Sequence, residues 1–106
     1  MVKNYILIMV TCASKEEAHK ISGQLLRKRL VACASILPKI ESKFWWKGKL
    51  DSAREILVTM KTVRSNFKKI EALIKSLHSY EVPEIIAVPI VAGSRDYLDW
   101  ISRTIV

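Results

Sequence analysis

The stretch Leu30-Val31-Ala32-Cys33-Ala34-Ser35-Ile36-Leu37-Pro38-Lys39-Ile40-Glu41-Ser42-Lys43-Phe44-Trp45-Trp46-Lys47-Gly48-Lys49 decides the fold. Leu30 to Leu37 reads as a strand interrupted by Pro38, and Ile40 to Trp46 continues it to a turn around Lys47-Gly48-Lys49. Glu55 to Val63 returns as a partner strand, so the two make a long hairpin whose tip carries Phe44, Trp45 and Trp46. A proline cannot donate to a strand ladder, which places the Pro38 strand at a sheet edge.

Outward from this hairpin, the elements fall in a regular order. Upstream, Lys3 to Cys12 is an apolar run too short for a helix and reads as a strand buried on both faces. Ser14 with Glu17 forms a capping box, and Ala18, Ile21, Leu25 and Leu26 line one face of a helix running to about Lys28. Downstream, Ser65 is the expected cap of a second helix, with Phe67, Ile70, Leu73, Ile74 and Leu77 as its apolar stripe and an end near His78. Ser79 to Pro83 is a connector, Glu84 to Val91 a fourth strand, and Ser94 the cap of a last helix carrying Tyr97, Leu98 and Ile101. The order βαββαβ plus a C-terminal helix predicts a ferredoxin-like α+β sandwich over a single domain, residues 1–106. Helices on one sheet face leave the other open, while the first and fourth strands are apolar at nearly every position. Self-association through the edge strand and the aromatic tip is therefore expected.

Composition narrows the class. The chain has 106 residues, half of them hydrophobic, and 18 Lys and Arg against 10 acids give a formal charge of +8. That excludes a disordered or collagen-like chain and suits anionic partners without specifying one. The run from Tyr5 to Val10 is far shorter than the ~20 residues of a membrane span, and the expected location is cytoplasmic. Side-chain amides occur at Asn4, Gln24 and Asn66, a scarcity that fits a heat-resistant protein.

No GxSxG, P-loop, GxGxxG, HExxH or paired CxxC pattern is present, so catalysis is not expected and any metal site must be assembled in space. The segment Thr11-Cys12-Ala13-Ser14-Lys15 has the opening of a copper-chaperone loop, but Lys15 stands where the second thiolate would be. Cys33 lies in an apolar stretch on a strand parallel to that of Cys12 and separated from it by a third, which argues against a disulfide. His78 ends a helix beside Tyr80, Glu81 and Glu84, where an imidazole serves equally as a ligand or as a helix C-terminal contact. A strand without aromatics at Glu55 to Thr62 gives no platform for stacking RNA bases, so no specific nucleic-acid partner is expected.

The segments Lys28 to Cys33, Phe44 to Lys49, Lys61-Thr62, His78 to Ile85 and Tyr97 to Trp100, in this order and spacing, closely resemble the CutA family of divalent-cation tolerance proteins. The resemblance covers essentially the whole chain. It implies a ferredoxin-like subunit in a tight homotrimer, no enzymatic reaction, and an association with copper and other divalent metal ions. Matched residue by residue, it implies Cys33 and His78 as metal ligands and Cys12 as a weaker third, and carboxylates such as Glu84 are the candidate supplements to that pair. Ser79 replaces the family's usual proline after the histidine, which frees a backbone donor. The same resemblance carries an alternative, a signalling trimer like the PII-type nitrogen regulators, binding a small anionic effector in a cleft between subunits lined by Trp46, Lys61, Tyr80 and Glu84.

Overall fold

In the computed structural model, which describes residues 4–106, strand β1 spans Tyr5–Cys12, helix α1 Lys15–Arg27, β2 Cys33–Trp46 and β3 Lys49–Val63. A 3-10 turn at Arg64–Asn66 leads into α2, Phe67–Leu77, followed by β4, Ile85–Pro89, and α3, Arg95–Thr104. The expected start of the first strand at Lys3 lies outside the described residues. The sheet order is β2-β3-β1-β4 with every neighbour antiparallel, which is the ferredoxin-like topology. β1 and β2 are thus parallel to each other and separated by β3, as expected, which keeps Cys12 and Cys33 apart.

Alternation along the central strands sorts the faces. Ile6, Ile8, Val10 and Cys12 of β1 and Ile56, Val58 and Met60 of β3 join Ile21, Leu25, Ile70 and Ile74 of the helices in one buried core. Residues of opposite parity, such as Lys61, face away from α1 and α2. On that far side α3 meets β3, and its Tyr97 hydroxyl lies 3.6 Å from Cys33 Sγ while Lys61 Nζ stands 5.8 Å from the Tyr97 ring centroid. α3 covers only part of this face. β2, which carries Pro38, and β4 are the two edges of the sheet, and β4 has Ile86 and Val88 exposed.

Four boundaries differ from expectation, each for a local reason. β2 begins at Cys33 rather than Leu30, because Arg29 takes a positive φ of 55° and Leu30 turns inward instead of into the ladder. The Leu30 carbonyl accepts from Thr62 Oγ1 at 2.6 Å and Asn66 Nδ2 at 3.1 Å. β3 begins at Lys49, six residues before Glu55, because the two-residue turn at Lys47-Gly48, both at positive φ, keeps the strands paired to the tip. Ser65 does not cap α2: the chain winds a 3-10 turn first, and Asn66 occupies the cap position while its side chain is spent on Leu30 and Val106 carbonyls. β4 is shorter than expected at both ends, although the Ile90 N–H still donates to the Tyr5 carbonyl. Pro38 does interrupt β2, with a register shift between Leu37 and Ile40 and Lys39 at φ 61°.

Candidate metal centre and adjoining cleft

Ser14 caps α1 by accepting the Glu17 N–H at 3.2 Å, which fixes Glu17 in the first turn. The Glu17 carboxylate then reaches back to the Ala13 N–H at 3.0 Å through Oε1 and across to the Ser79 N–H at 2.7 Å through Oε2. The donor freed by serine in place of the family's proline is therefore used to tie the connector onto α1. Burial works against ionisation of Glu17, but donation from Ala13 and Ser79, with His78 alongside, outweighs it and holds its carboxyl below the usual range.

His78 sits at the C-cap of α2 with its side chain fully buried. A carbonyl can only accept, so the 2.8 Å contact between Nε2 and the Thr11 carbonyl requires Nε2 to carry the proton. Nδ1 then offers its lone pair, meeting the Tyr80 N–H at 3.0 Å and standing 3.9 Å from Glu17 Oε2. Cys12, at the end of β1, is buried beside them, and burial, with Glu17 and Glu55 adding to it, pushes its thiol up to about 12. Ligand atoms of Cys12, Glu17 and His78 all lie within 4.8 Å of one another.

These three residues come from the end of one strand, the start of one helix and the end of another. The structure thus brings together two of the expected ligands, Cys12 and His78, and adds Glu17, whose capping-box position was legible while its turn toward His78 was not. Cys33 is elsewhere. It pairs with Lys61, whereas His78 is held at Thr11, which pairs with Leu57, so four residues of strand, roughly 13 Å, separate the two levels. Cys33 lies beside Tyr97 and Lys61, its Sγ 3.9 Å from Lys61 Nζ, and the hydrogen bond to Cys33, then burial, raises the Tyr97 phenol. Both cysteines are free thiols.

Beside the Cys12, Glu17 and His78 group opens a cleft of about 870 Å³ between one face of the hairpin and the connector. Trp46, Tyr80 and Glu84 line it, and Lys61 does not. Its charged lining is Asp51, Glu55, Glu81 and Glu84 against Lys43, which is a poor setting for an anionic effector. At its floor the Tyr80 hydroxyl donates to Glu55 Oε2 at 2.7 Å, and burial together with this carboxylate pushes the Tyr80 phenol well above its ordinary value.

The set fits a soft or borderline metal ion in chemistry: a thiol, an imidazole and a carboxylate, with the second imidazole nitrogen donating to a backbone carbonyl as metal-bound histidines do. Fold and site together define a ferredoxin-like domain with candidate metal ligands gathered under one end of its sheet. Residues 6–104 match the family model of the CutA1 divalent ion tolerance protein. The chain is 43% identical over 98 residues, 92% of its length and 95% of the relative's, to the divalent-cation tolerance protein CutA of Archaeoglobus fulgidus. A solved structure of the periplasmic divalent cation tolerance protein CutA from that organism superposes with a TM-score of 0.91 at 42% identity, covering 94% of this chain and 97% of that one. The divalent cation tolerance protein of Thermus thermophilus superposes with a TM-score of 0.94 at 37% identity, covering 96% and 99%. The chain belongs to the CutA1 family of divalent ion tolerance proteins.

Proposed function

We propose that this chain is a noncatalytic, homotrimeric divalent-cation tolerance protein that binds copper or another soft divalent ion through Cys12 Sγ, His78 Nδ1 and a Glu17 carboxylate oxygen. The observation that carries the reading is the convergence of these three ligand atoms within 4.8 Å. Ligand atoms around a zinc- or copper-sized ion stand ~3.5 Å apart, so closure by about 1 Å suffices. An ion on Nδ1 displaces the Tyr80 N–H, and one on Glu17 competes with Ala13 and Ser79, which sets a modest affinity. Nitrogen and sulfur donors favour Cu(II) among first-row divalent ions, and the thiolate also suits Cu(I). Cys33, with Lys61 and Tyr97 around it, is a separate thiol able to take metal on its own or with ligands from a neighbouring subunit, and Glu84 lies outside the cluster formed by Cys12, Glu17 and His78.

Trimer formation is supported by the free β4 edge with its exposed Ile86 and Val88, and by Trp45 and Leu50, paired on the outer side of the hairpin at 73% and 67% exposure. A cytoplasmic location and heat resistance complete the reading. Among the described residues no helix is long and apolar enough to cross a membrane. The family spans several settings, with one relative's structure described as periplasmic and a rice relative as chloroplastic.

Native mass spectrometry of the reduced protein with graded Cu(I) and Cu(II) tests this. Three ions per trimer, lost in Cys12→Ala and His78→Gln but kept in Cys33→Ala, is the expected result. Uptake without saturation, or loss in Cys33→Ala alone, would move the site away from the buried group.

A further inference from the structure

Apart from the metal ligands, the first rung of the β2–β3 ladder sets two nucleophiles side by side. Cys33 and Lys61 are directly opposed in that antiparallel pairing, so their side chains leave the same side of the sheet as cross-strand neighbours. Lys61 Nζ stands 3.9 Å from Cys33 Sγ. From α3 the Tyr97 hydroxyl reaches the same sulfur at 3.6 Å, and its ring centroid lies 5.8 Å from Lys61 Nζ. A cationic head and a phenol thus meet the sulfur, and both favour a thiolate there. Cys33 is half-buried, and its contact with Tyr97 is exposed. The rung is at the end of the ladder away from the Lys47-Gly48 turn, so a neighbour seated on Trp45 and Leu50 does not cover it.

A thiol and an amine at this spacing can pass an acyl group from one to the other. With the acyl carbon on the sulfur, a nitrogen that starts 3.9 Å from that sulfur reaches the ~3–3.5 Å of a near-attack geometry without leaving its rung. A free lysine is almost wholly protonated at neutral pH and is a poor trap for activated acyl groups, whereas a thiolate is a good one. The rung therefore combines capture by sulfur with transfer to nitrogen, and neither residue suffices alone. Cys12 provides the contrast: it is buried in the apolar core, with Glu17 and Glu55 as its charged neighbours.

We propose that Cys33 and Lys61 form an acyl-relay site, at which a short-chain acyl thioester modifies Lys61 by way of Cys33. In the first step the Cys33 thiolate attacks the thioester carbonyl carbon. A new S–C bond forms, the bond to the carrier sulfur breaks, and the carrier leaves as a thiolate that takes a proton from solvent. The acylated sulfur is neutral, and Lys61, no longer facing an anion, gives a proton to solvent. Its lone pair attacks the acyl carbon; the N–C bond forms, the S–C bond breaks, and the nitrogen sheds its extra proton to solvent as Cys33 departs as the thiolate. One thioester is consumed and one amide made, with no change in oxidation state. Tyr97 donates to the sulfur whenever it is anionic, which places it as a positioning residue for both steps. The stable amide ends the sequence after one event per chain, so the relay is a self-modification without turnover. It leaves Lys61 neutral and removes the cation beside the Tyr97 ring. The site does not depend on the metal reading.

The test is incubation of the full chain, reduced with a phosphine and freed of metal by a chelator, with acetyl-coenzyme A at about pH 8, where a free thiol is partly ionised. Peptide mass spectrometry then reads acetyl occupancy at each lysine. Lys68, whose side chain is 91% exposed, reports direct acetylation without a thiol. Lys61 should exceed Lys68 by about tenfold or more, and Cys33→Ala should bring it down to the Lys68 level. Lys61→Arg keeps the cation beside the sulfur and removes the acceptor, so a hydroxylamine-labile acetyl group should accumulate on Cys33. A urea midpoint for each variant shows that it is folded. Lys61 occupancy no higher than that of Lys68, occupancy unchanged in Cys33→Ala, or a Cys33 that carries no acetyl group in Lys61→Arg would overturn the proposal.

Discussion

The Tyr80 N–H, the Thr11 carbonyl and the two oxygens of Glu17 together decide what His78 and Cys12 can do. Because the thiol must lose its proton to ligate and burial pushes it up to about 12, metal binding at this group releases a proton. Apparent affinity should rise about tenfold per pH unit between pH 6 and 8, measured as copper competition against a chelator at each pH. In the metal-free protein iodoacetamide should leave Cys12 unmodified until denaturant is added, read by mass spectrometry. Glu17 sets the acid limb. Its carboxyl is depressed in the folded state, so its contribution is present above the ordinary glutamate value near pH ~4.3 and is lost as pH falls through the lower folded value. Glu17→Gln should flatten the fall of the urea midpoint between pH 5 and 3. Asn66 is a further case: its amide serves the Leu30 and Val106 carbonyls and Thr62 Oγ1, and Asn66→Ala should cost about 2 kcal/mol in urea unfolding.

Among the elements, the hairpin is the one whose geometry reaches furthest. Lys47 and Gly48 both lie at positive φ, 52° and 77°, the conformation of a two-residue turn that follows the strands' twist. A lysine there is strained, so Lys47→Asn should stabilise by up to about 1 kcal/mol, measured by thermal unfolding. Gly48→Ala should destabilise by a similar amount, since a Cβ at φ 77° is strained although nothing crowds it. The strand identities, the turn and the Pro38 interruption were legible from alternation and turn chemistry. The start of β2 was not, because Leu30 to Ala32 is as apolar as a strand, and what removes it from the ladder is the Arg29 φ and the capture of the Leu30 carbonyl by Thr62 and Asn66. These partners are 32 and 36 residues away.

At the scale of the whole molecule the hairpin draws the chain out to 46 × 26 × 23 Å, leaving apolar surface at both ends of the sheet. Exposed Ile86 and Val88 on the β4 edge, and Trp45 and Leu50 near the tip, are what a trimer would cover. Sedimentation velocity at micromolar concentration should show a trimer, and Val88→Lys should dissociate it by placing a charge on the edge. A stable monomer would remove the oligomeric reading.

The sequence by itself determined the order of elements and the α+β topology, because these rest on local periodicity, capping and turn residues, which short windows of sequence display; the family was legible from the resemblance of several separated motifs in their order and spacing. It also named Cys12 and His78 separately. The tertiary structure alone decided that they meet Glu17, that Cys33 stands apart, and that Trp46, Tyr80 and Glu84 share an acidic cleft without Lys61. The physical reason is distance along the chain. Thr11 and His78 are 67 residues apart, Glu55 and Tyr80 are 25, and only the packing of α1 and α2 on the sheet sets which side chain turns toward which.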